Sequence, residues 1–176
     1  MTRVLNHVEM LCAPGESELA YEVFDLLGCR LEMLTDNIHM AGAIEPASAD
    51  LRNNALYVSE ATTSQWNLET ALRRSLSEDG ALAEMMKGYT HGLQERPQDS
   101  AHFGIVFNDR AAWEARVDVV RRVPETHPHL ADRLVLTGLF PLKPTLHQAF
   151  VWTDVFAAGV ITFGQHIELQ WQAPAA

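Results

Sequence analysis

Three side chains far apart in the chain could together do chemistry. His7 lies in the apolar run Val4-Leu5-Asn6-His7-Val8-Glu9-Met10-Leu11, and His102 in Ala101-His102-Phe103-Gly104-Ile105-Val106-Phe107. Glu168 lies near the C-terminus, in the segment Ile161 to Trp171. Two imidazoles and one carboxylate held on strands, with coordination positions left open, make a ligand set for a reactive divalent metal. Taken singly, each has a plainer explanation. A lone strand histidine is usually a hydrogen-bonded structural residue, and a lone glutamate is usually solvated. The matching placement of the two histidines, with a carboxylate on the final strand, favours the shared role.

The elements that must position these residues repeat. In the first half a strand from about Val4 to Cys12 precedes a helix that Ser17 can cap, with Leu19, Ala20, Val23, Phe24 and Leu27 at helical spacing. Gly28 stands where a helix C-cap is expected. Arg30 to Leu34, a turn at Asp36-Asn37 and Ile38 to Ile44 then read as a hairpin, and Ala55 to Ser59 as a fourth strand. The second half starts at His102. Asp109 caps a helix with Ala112, Trp113, Val117 and Val120 on one stripe, Pro124 follows it, and strands fit Arg133–Phe140, His147–Thr153 and Val160–Trp171. Each half is strand, helix, strand, strand, strand, and such a repeat usually means that two copies bury each other's faces.

The expected fold is therefore α+β: two βαβββ modules, about 1–62 and about 98–176, with a helical insertion over about 63–97. In the insertion Leu68, Ala71, Leu72 and Leu76 form an apolar stripe that breaks at Asp79-Gly80 and resumes from Ala81 to Met86. Such helices mostly serve packing, here against the sheet or a second subunit. The sharper alternative is a lid, with Met85 and Met86 as adaptable lining.

Alternation along strands sorts the faces. Leu5, His7, Glu9 and Leu11 share one side of the first strand. His102, Gly104 and Val106 oppose Phe103, Ile105 and Phe107. On the last strand Thr162, Gly164, His166, Glu168 and Gln170 oppose Ile161, Phe163, Ile167, Leu169 and Trp171. Each potential ligand lies opposite an apolar row, as in a mixed sheet curved into a cup around a polar central site.

Bulk properties narrow the partners. The net charge of −10 over 176 residues argues against nucleic acid, and no polybasic patch suits an anionic membrane. No apolar stretch is long enough to cross a bilayer, and Met1-Thr2-Arg3-Val4 does not resemble a signal peptide. A cytoplasmic location is expected, where Cys12 and Cys29 would stay reduced; their spacing matches no zinc motif. A small-molecule substrate or another protein remains as partner. No Walker-type, dinucleotide-binding or glycine-x-serine-x-glycine pattern is present.

The repeated module, with His7, His102 and Glu168 on the first strand of each half and the last strand of the second, resembles the vicinal oxygen chelate superfamily. That group includes glyoxalases, type I extradiol dioxygenases, epimerases and antibiotic-resistance proteins. Phe163-Gly164-Gln165-His166-Ile167-Glu168-Leu169 is similar to the glycine-x-x-isoleucine-glutamate-leucine ending common there. The resemblance covers nearly the whole chain outside the insertion. It implies a divalent metal held by His7, His102 and Glu168, with a substrate that chelates through two neighbouring oxygens. A homodimer is also implied.

One departure bears on the reaction. Glyoxalase-type members often add a glutamate ligand from the last strand of the first half. Setting Leu56-Tyr57-Val58 against Ile167-Glu168-Leu169 puts Tyr57 at that place, while Glu60 has the opposite facing unless a bulge intervenes. Three protein ligands leave more positions open, which favours an extradiol-type ring-cleaving dioxygenase with iron(II). Tyr57 is then the catalytic candidate, a phenol able to hydrogen-bond a substrate oxygen; the plain alternative is a tyrosine packed in the sheet. His147 and His166 are further candidates to line the pocket. With zinc, manganese or nickel the expectation becomes a glyoxalase-like lyase, isomerase or epimerase, with Glu9 as a base. The rival class is a metal-free antibiotic-binding protein. His127 and His129 read as a solvated loop pair, and His39 and His91 have no evident partners.

Overall fold

The computed structural model describes residues 5–34, 39–45, 47, 51, 54–78, 80–161 and 164–173. Val4, the turn at Asp36-Asn37, Ile38, Asp79, Thr162 and Phe163 lie outside the described residues. The fold is α+β, and both βαβββ modules are present. The chain divides into two compact units, 1–70 with 155–164 and 71–154 with 165–176. This division departs from the expected module boundaries because a short stretch of the second half returns to the first unit.

Unit 1 holds strand β1 (His7–Cys12), helix α1 (Ser17–Leu26), and strands β2 (Glu32–Met33), β3 (His39–Ala43) and β4 (Ala55–Glu60). The sheet order is β2-β3-β4-β1-β8, where β8 is Phe156–Ala157. The pairing of β1 with β4 is parallel, whereas β2–β3, β3–β4 and β1–β8 are antiparallel. Helix α1 forms because Ala20, Val23 and Phe24 recur on one face, and all three are fully buried. Under them lie Met10, Cys12, Met40, Leu56 and Val58, the inward rows of β1, β3 and β4. Burying each large aliphatic or aromatic side chain contributes roughly 1.5–3 kcal/mol. Phe24 stacks on Phe156 with ring centroids 4.2 Å apart, which joins β8 to the same core.

The ends of α1 differ in part from expectation. Glu16, not Ser17, is the N-cap residue, without a side-chain cap bond, because the Ser17 hydroxyl is given to Glu60. The C-terminus is as expected: Gly28 has φ +87, its N–H reaches Asp25 O, and Cys29 N–H reaches Phe24 O at 2.8 Å. Only a residue free of Cβ adopts that conformation cheaply.

Unit 2 repeats the plan. It holds β5 (His102–Phe107), α4 (Arg110–Arg121), the short helix α5 (Val123–Thr126), β6 (Leu134–Lys143), β7 (Leu146–Thr153) and β9 (Gln165–Gln172). The order β5-β9-β7-β6 again sets the first and last strands of the module side by side and parallel. Asp109 caps α4 by accepting from Ala112 N–H at 2.9 Å. Trp113, Val117 and Val120 form the buried stripe, and Trp113 Nε1 donates to Leu169 O at 2.8 Å, pinning α4 to β9. Pro141 falls on β6, an edge strand with register shifts, where a missing N–H is tolerated. Strand β9 starts at Gln165, not Val160; Ile161 instead packs with Ala13, Ala157, Leu11 and Trp66 in unit 1.

The insertion is two helices, α2 (Thr63–Glu78) and α3 (Gly80–Glu95). None of the described residues of α3 is buried; Leu82, Met85 and Tyr89 are exposed, as are Leu68 and Leu72 of α2. Among the described residues no helix is long and apolar enough to cross a membrane.

Gly42 of β3 is placed by a close approach, since a Cβ there would run into the carbonyl of Arg30 and lie 2.9 Å from Leu31 Cα. Gly42→Ala is expected to destabilise the protein by roughly 1–3 kcal/mol, as overpacking against backbone does. A urea unfolding series checks this, and an unchanged midpoint would contradict the contact.

Candidate functional site

In unit 2 the parallel register of β5 and β9 sets His102 beside His166 and Gly104 beside Glu168. All four belong to the face of the sheet opposite α4, as alternation from Ile105, Ile167 and Leu169 requires. His102 Nε2 stands 3.5 Å from Glu168 Oε2, with the two side chains 24 % and 10 % exposed. Gly104 leaves room here, since even a Cβ at that position would be 3.7 Å from the nearest Glu168 atom. Each member of the pair is held from behind. His102 Nδ1 is 2.8 Å from Ser100 O, and Gln148 Nε2 donates to Glu168 Oε1 at 2.6 Å. The ring of Phe150 meets His102 edge-on at 5.2 Å.

These bonds decide which nitrogen of His102 is free. A carbonyl oxygen only accepts, so Nδ1 must carry the proton toward Ser100. In the neutral ring Nε2 is then a bare lone pair facing a carboxylate oxygen. Two acceptors that face each other need something positive between them, either a proton, making His102 an imidazolium, or a cation. Donors bound about 2.0–2.2 Å from one metal at a tetrahedral angle stand about 3.4 Å apart. The observed spacing fits that donor pair.

His166 is the most deeply placed group of the cluster, at 2 % exposure. Its Nδ1 is 3.0 Å from Ser100 Oγ, and that hydroxyl donates to Pro97 O at 2.6 Å. Nε2 of His166 is buried with no hydrogen-bond partner among the described residues. Burial pushes the imidazole down to about 4, and the neighbouring His102 adds to the effect.

Unit 1 carries the equivalent positions with different residues. Its β1–β4 register sets His7 beside Ala55 and Glu9 beside Tyr57, so Tyr57 occupies the place that Glu168 holds in unit 2. The expected alignment of those two strands is thus realised. His7 is exposed, its ring 5.2 Å from that of Tyr57 and its Nδ1 2.5 Å from Asn6 Oδ1. Glu9 accepts from Ser59 Oγ at 2.7 Å. The β1–β4 pairing runs without a bulge, so Glu60 falls on the α1 side of the sheet. There it accepts from Ser17 and borders an open cleft of about 580 Å³ with Gly15, Glu18 and Met33. Nearby Cys12 is pushed up to about 11, by burial first and then by Glu60, so it is no nucleophile at neutral pH.

Among the described residues no three or more His, Cys, Asp or Glu side chains are already gathered around a common point. His102 and Glu168 are brought together in unit 2; His7 and Tyr57 are brought together in unit 1. His147 is not a lining residue of the His102 face. It lies on the helix side, edge-on to Trp113 and Trp171 at 5.6 and 5.4 Å. Gln148 takes the place instead, and together with Ser100 it was missed by sequence reasoning. The signal was weak because both faces of β7 are apolar: Ala149 and Val151 on one, Phe150 and Trp152 on the other. His91 pairs with Glu95 at 3.2 Å on α3, and the rings of His127 and His129 lie 6.2 Å apart.

No protein-family model matches the chain, and neither the curated proteins nor the solved structures yielded a match.

The buried neutral His166 has a consequence for stability. Its folded-state value lies below the ordinary 6.5, so between about 6.5 and 4 the unfolded chain binds the extra proton and stability falls as pH falls. His166→Asn is expected to flatten that part of the profile, by an amount on the order of 1–3 kcal/mol across the window. Denaturant midpoints taken at several pH values read this directly; parallel profiles for the two proteins would contradict it.

Proposed function

We propose that this chain is a metal-dependent enzyme acting on a small substrate with two neighbouring oxygens, and within that class an extradiol-type ring-cleaving dioxygenase. The observation that carries the reading is the His102–Glu168 pair, with Nε2 and Oε2 3.5 Å apart and an outer hydrogen-bond partner behind each. Outer partners of this kind fix tautomer and orientation around metal ligands. A bound divalent cation, iron(II) by preference, would supply Lewis acidity to the substrate oxygens.

The chain's own residues supply the rest. His102 and Glu168 hold the cation, Gln148 keeps the carboxylate from turning away, and Phe150 walls the imidazole. Tyr57 is the proposed catalytic phenol, a hydrogen-bond partner for a substrate oxygen. Its occupation of the place equivalent to Glu168, with Glu60 on the opposite face, supports the oxygenase over a glyoxalase-like lyase, isomerase or epimerase using zinc, manganese or nickel. A cytoplasmic setting belongs to the same reading, supported by the buried free thiols Cys12 and Cys29. So does a homodimer, supported by the exposed Leu82, Met85 and Tyr89 on α3.

Anaerobic purification, metal quantification and an oxygen-uptake screen with catechols test the proposal. The expected result is near one metal per chain and oxygen consumption with a catechol-like substrate. His102→Ala should lose both, by more than the roughly 10–100-fold that removing an outer partner costs. His7→Ala tests the third ligand of the expected set: loss of metal keeps it in the set, retention removes it. Metal below about a tenth of an equivalent, even after reconstitution, would hand the protein to the metal-free binding class.

A further inference from the structure

Ser100 touches both imidazoles of unit 2, through different atoms. Its carbonyl oxygen takes the Nδ1 proton of His102 at 2.8 Å, and its hydroxyl lies 3.0 Å from Nδ1 of His166. The hydroxyl's own proton goes to Pro97 O at 2.6 Å. A hydroxyl that has spent its proton can only accept, so His166 Nδ1 is the donor. The chain of bonds is therefore directional, from His166 through Ser100 Oγ to Pro97. Gln165, the neighbour of His166, donates to Ala101 O at 3.3 Å and ties the next peptide to the same strand.

We propose that His166 and Ser100 form a positioning relay: the buried imidazole of β9 holds the 97–101 segment so that the Ser100 carbonyl locks His102 with its proton on Nδ1. Nε2 of His102 is thereby left as a lone pair aimed at the Glu168 side. His166 touches no cation in this arrangement and acts only through Ser100. Its unpartnered Nε2 is the cost, since a buried acceptor without a donor is unfavourable. At the equivalent place in unit 1 stands Ala55, which carries no imidazole. The inference bears on function only through the metal reading above, yet the tautomer it predicts exists without metal.

The test uses the full chain labelled with 15N-histidine and long-range proton–nitrogen NMR of the metal-free protein, followed by zinc and cobalt affinity by competition titration. In the pH range where its imidazole is neutral, wild-type His102 is expected to carry its proton on Nδ1 and to leave Nε2 bare. Ser100→Ala and His166→Leu should shift His102 toward a mixture of tautomers and weaken metal binding by about 10–100-fold. His166→Asn, which retains an N–H donor near the place of Nδ1, should restore both. Far-ultraviolet circular dichroism establishes that each variant is folded, and Ser100→Ala serves where a His166 variant is not.

The outcomes separate the two ideas. A wild type with the predicted tautomer but no metal binding overturns the metal reading and leaves the relay standing. A metal-binding wild type whose His102 tautomer is unmoved by Ser100→Ala overturns the relay and leaves the metal reading intact. His166→Asn behaving like His166→Leu would mean that Nε2 itself is required, which also overturns the relay.

Discussion

Parallel pairing of β5 with β9 is the constraint on which the candidate site rests. In a parallel ladder, residues joined by register share a face, so one offset decides every neighbour at once. The observed offset places His102 against His166 and Gly104 against Glu168. A slip by one residue would carry Glu168 to the side of α4, among Trp113, Val117 and Val120. That slip is resisted from the other face, where Ile167 and Leu169 are fully buried and the Leu169 carbonyl accepts from the Trp113 indole N–H. The apolar side of the sheet thus fixes the geometry of its polar side.

The same module, folded twice, is put to unlike uses. Apart from the added β8, unit 1 has the same strand order and the same parallel pair, and His7 and Tyr57 stand where His102 and Glu168 stand in unit 2. The backbone plan is kept while the chemistry on it differs. In unit 1 the face carries a phenol and an exposed imidazole, with Glu9 bonded to Ser59. In unit 2 it carries a buried imidazole, a carboxylate gripped by Gln148 and a histidine of defined tautomer. Among the described residues of unit 2, His102 and Glu168 stand at a spacing that two donors to one cation would have, and Gly104 leaves space beside them.

Burial explains why the polar cluster in unit 2 is bonded so fully. Removing Glu168 and His166 from water is costly unless partners replace it. Gln148 of β7 provides a partner for the carboxylate, and Ser100 of the segment before β5 provides one for the His166 imidazole. What remains unmatched is concentrated on one atom, Nε2 of His166, while the opposing acceptors of His102 and Glu168 define the place where positive charge is wanted. A structural cluster kept only for packing would be served as well by apolar residues.

The amino-acid sequence determined the two modules, the faces of their strands and the helix stripes, because periods of 2 and 3.6 are local properties of side-chain direction. It also brought out His102, Glu168 and the equivalence of Tyr57 with Glu168, since similar strand patterns align without knowledge of contacts. It did not reveal Ser100 or Gln148, nor that His147 turns toward Trp113. On β7 both rows are apolar, so alternation alone has no preferred side. Which way such a strand faces, which residue lies beside which across 64 positions of chain between His102 and His166, and which proton an imidazole keeps are decided by long-range register and packing, and these exist only once the sheet has closed around its core.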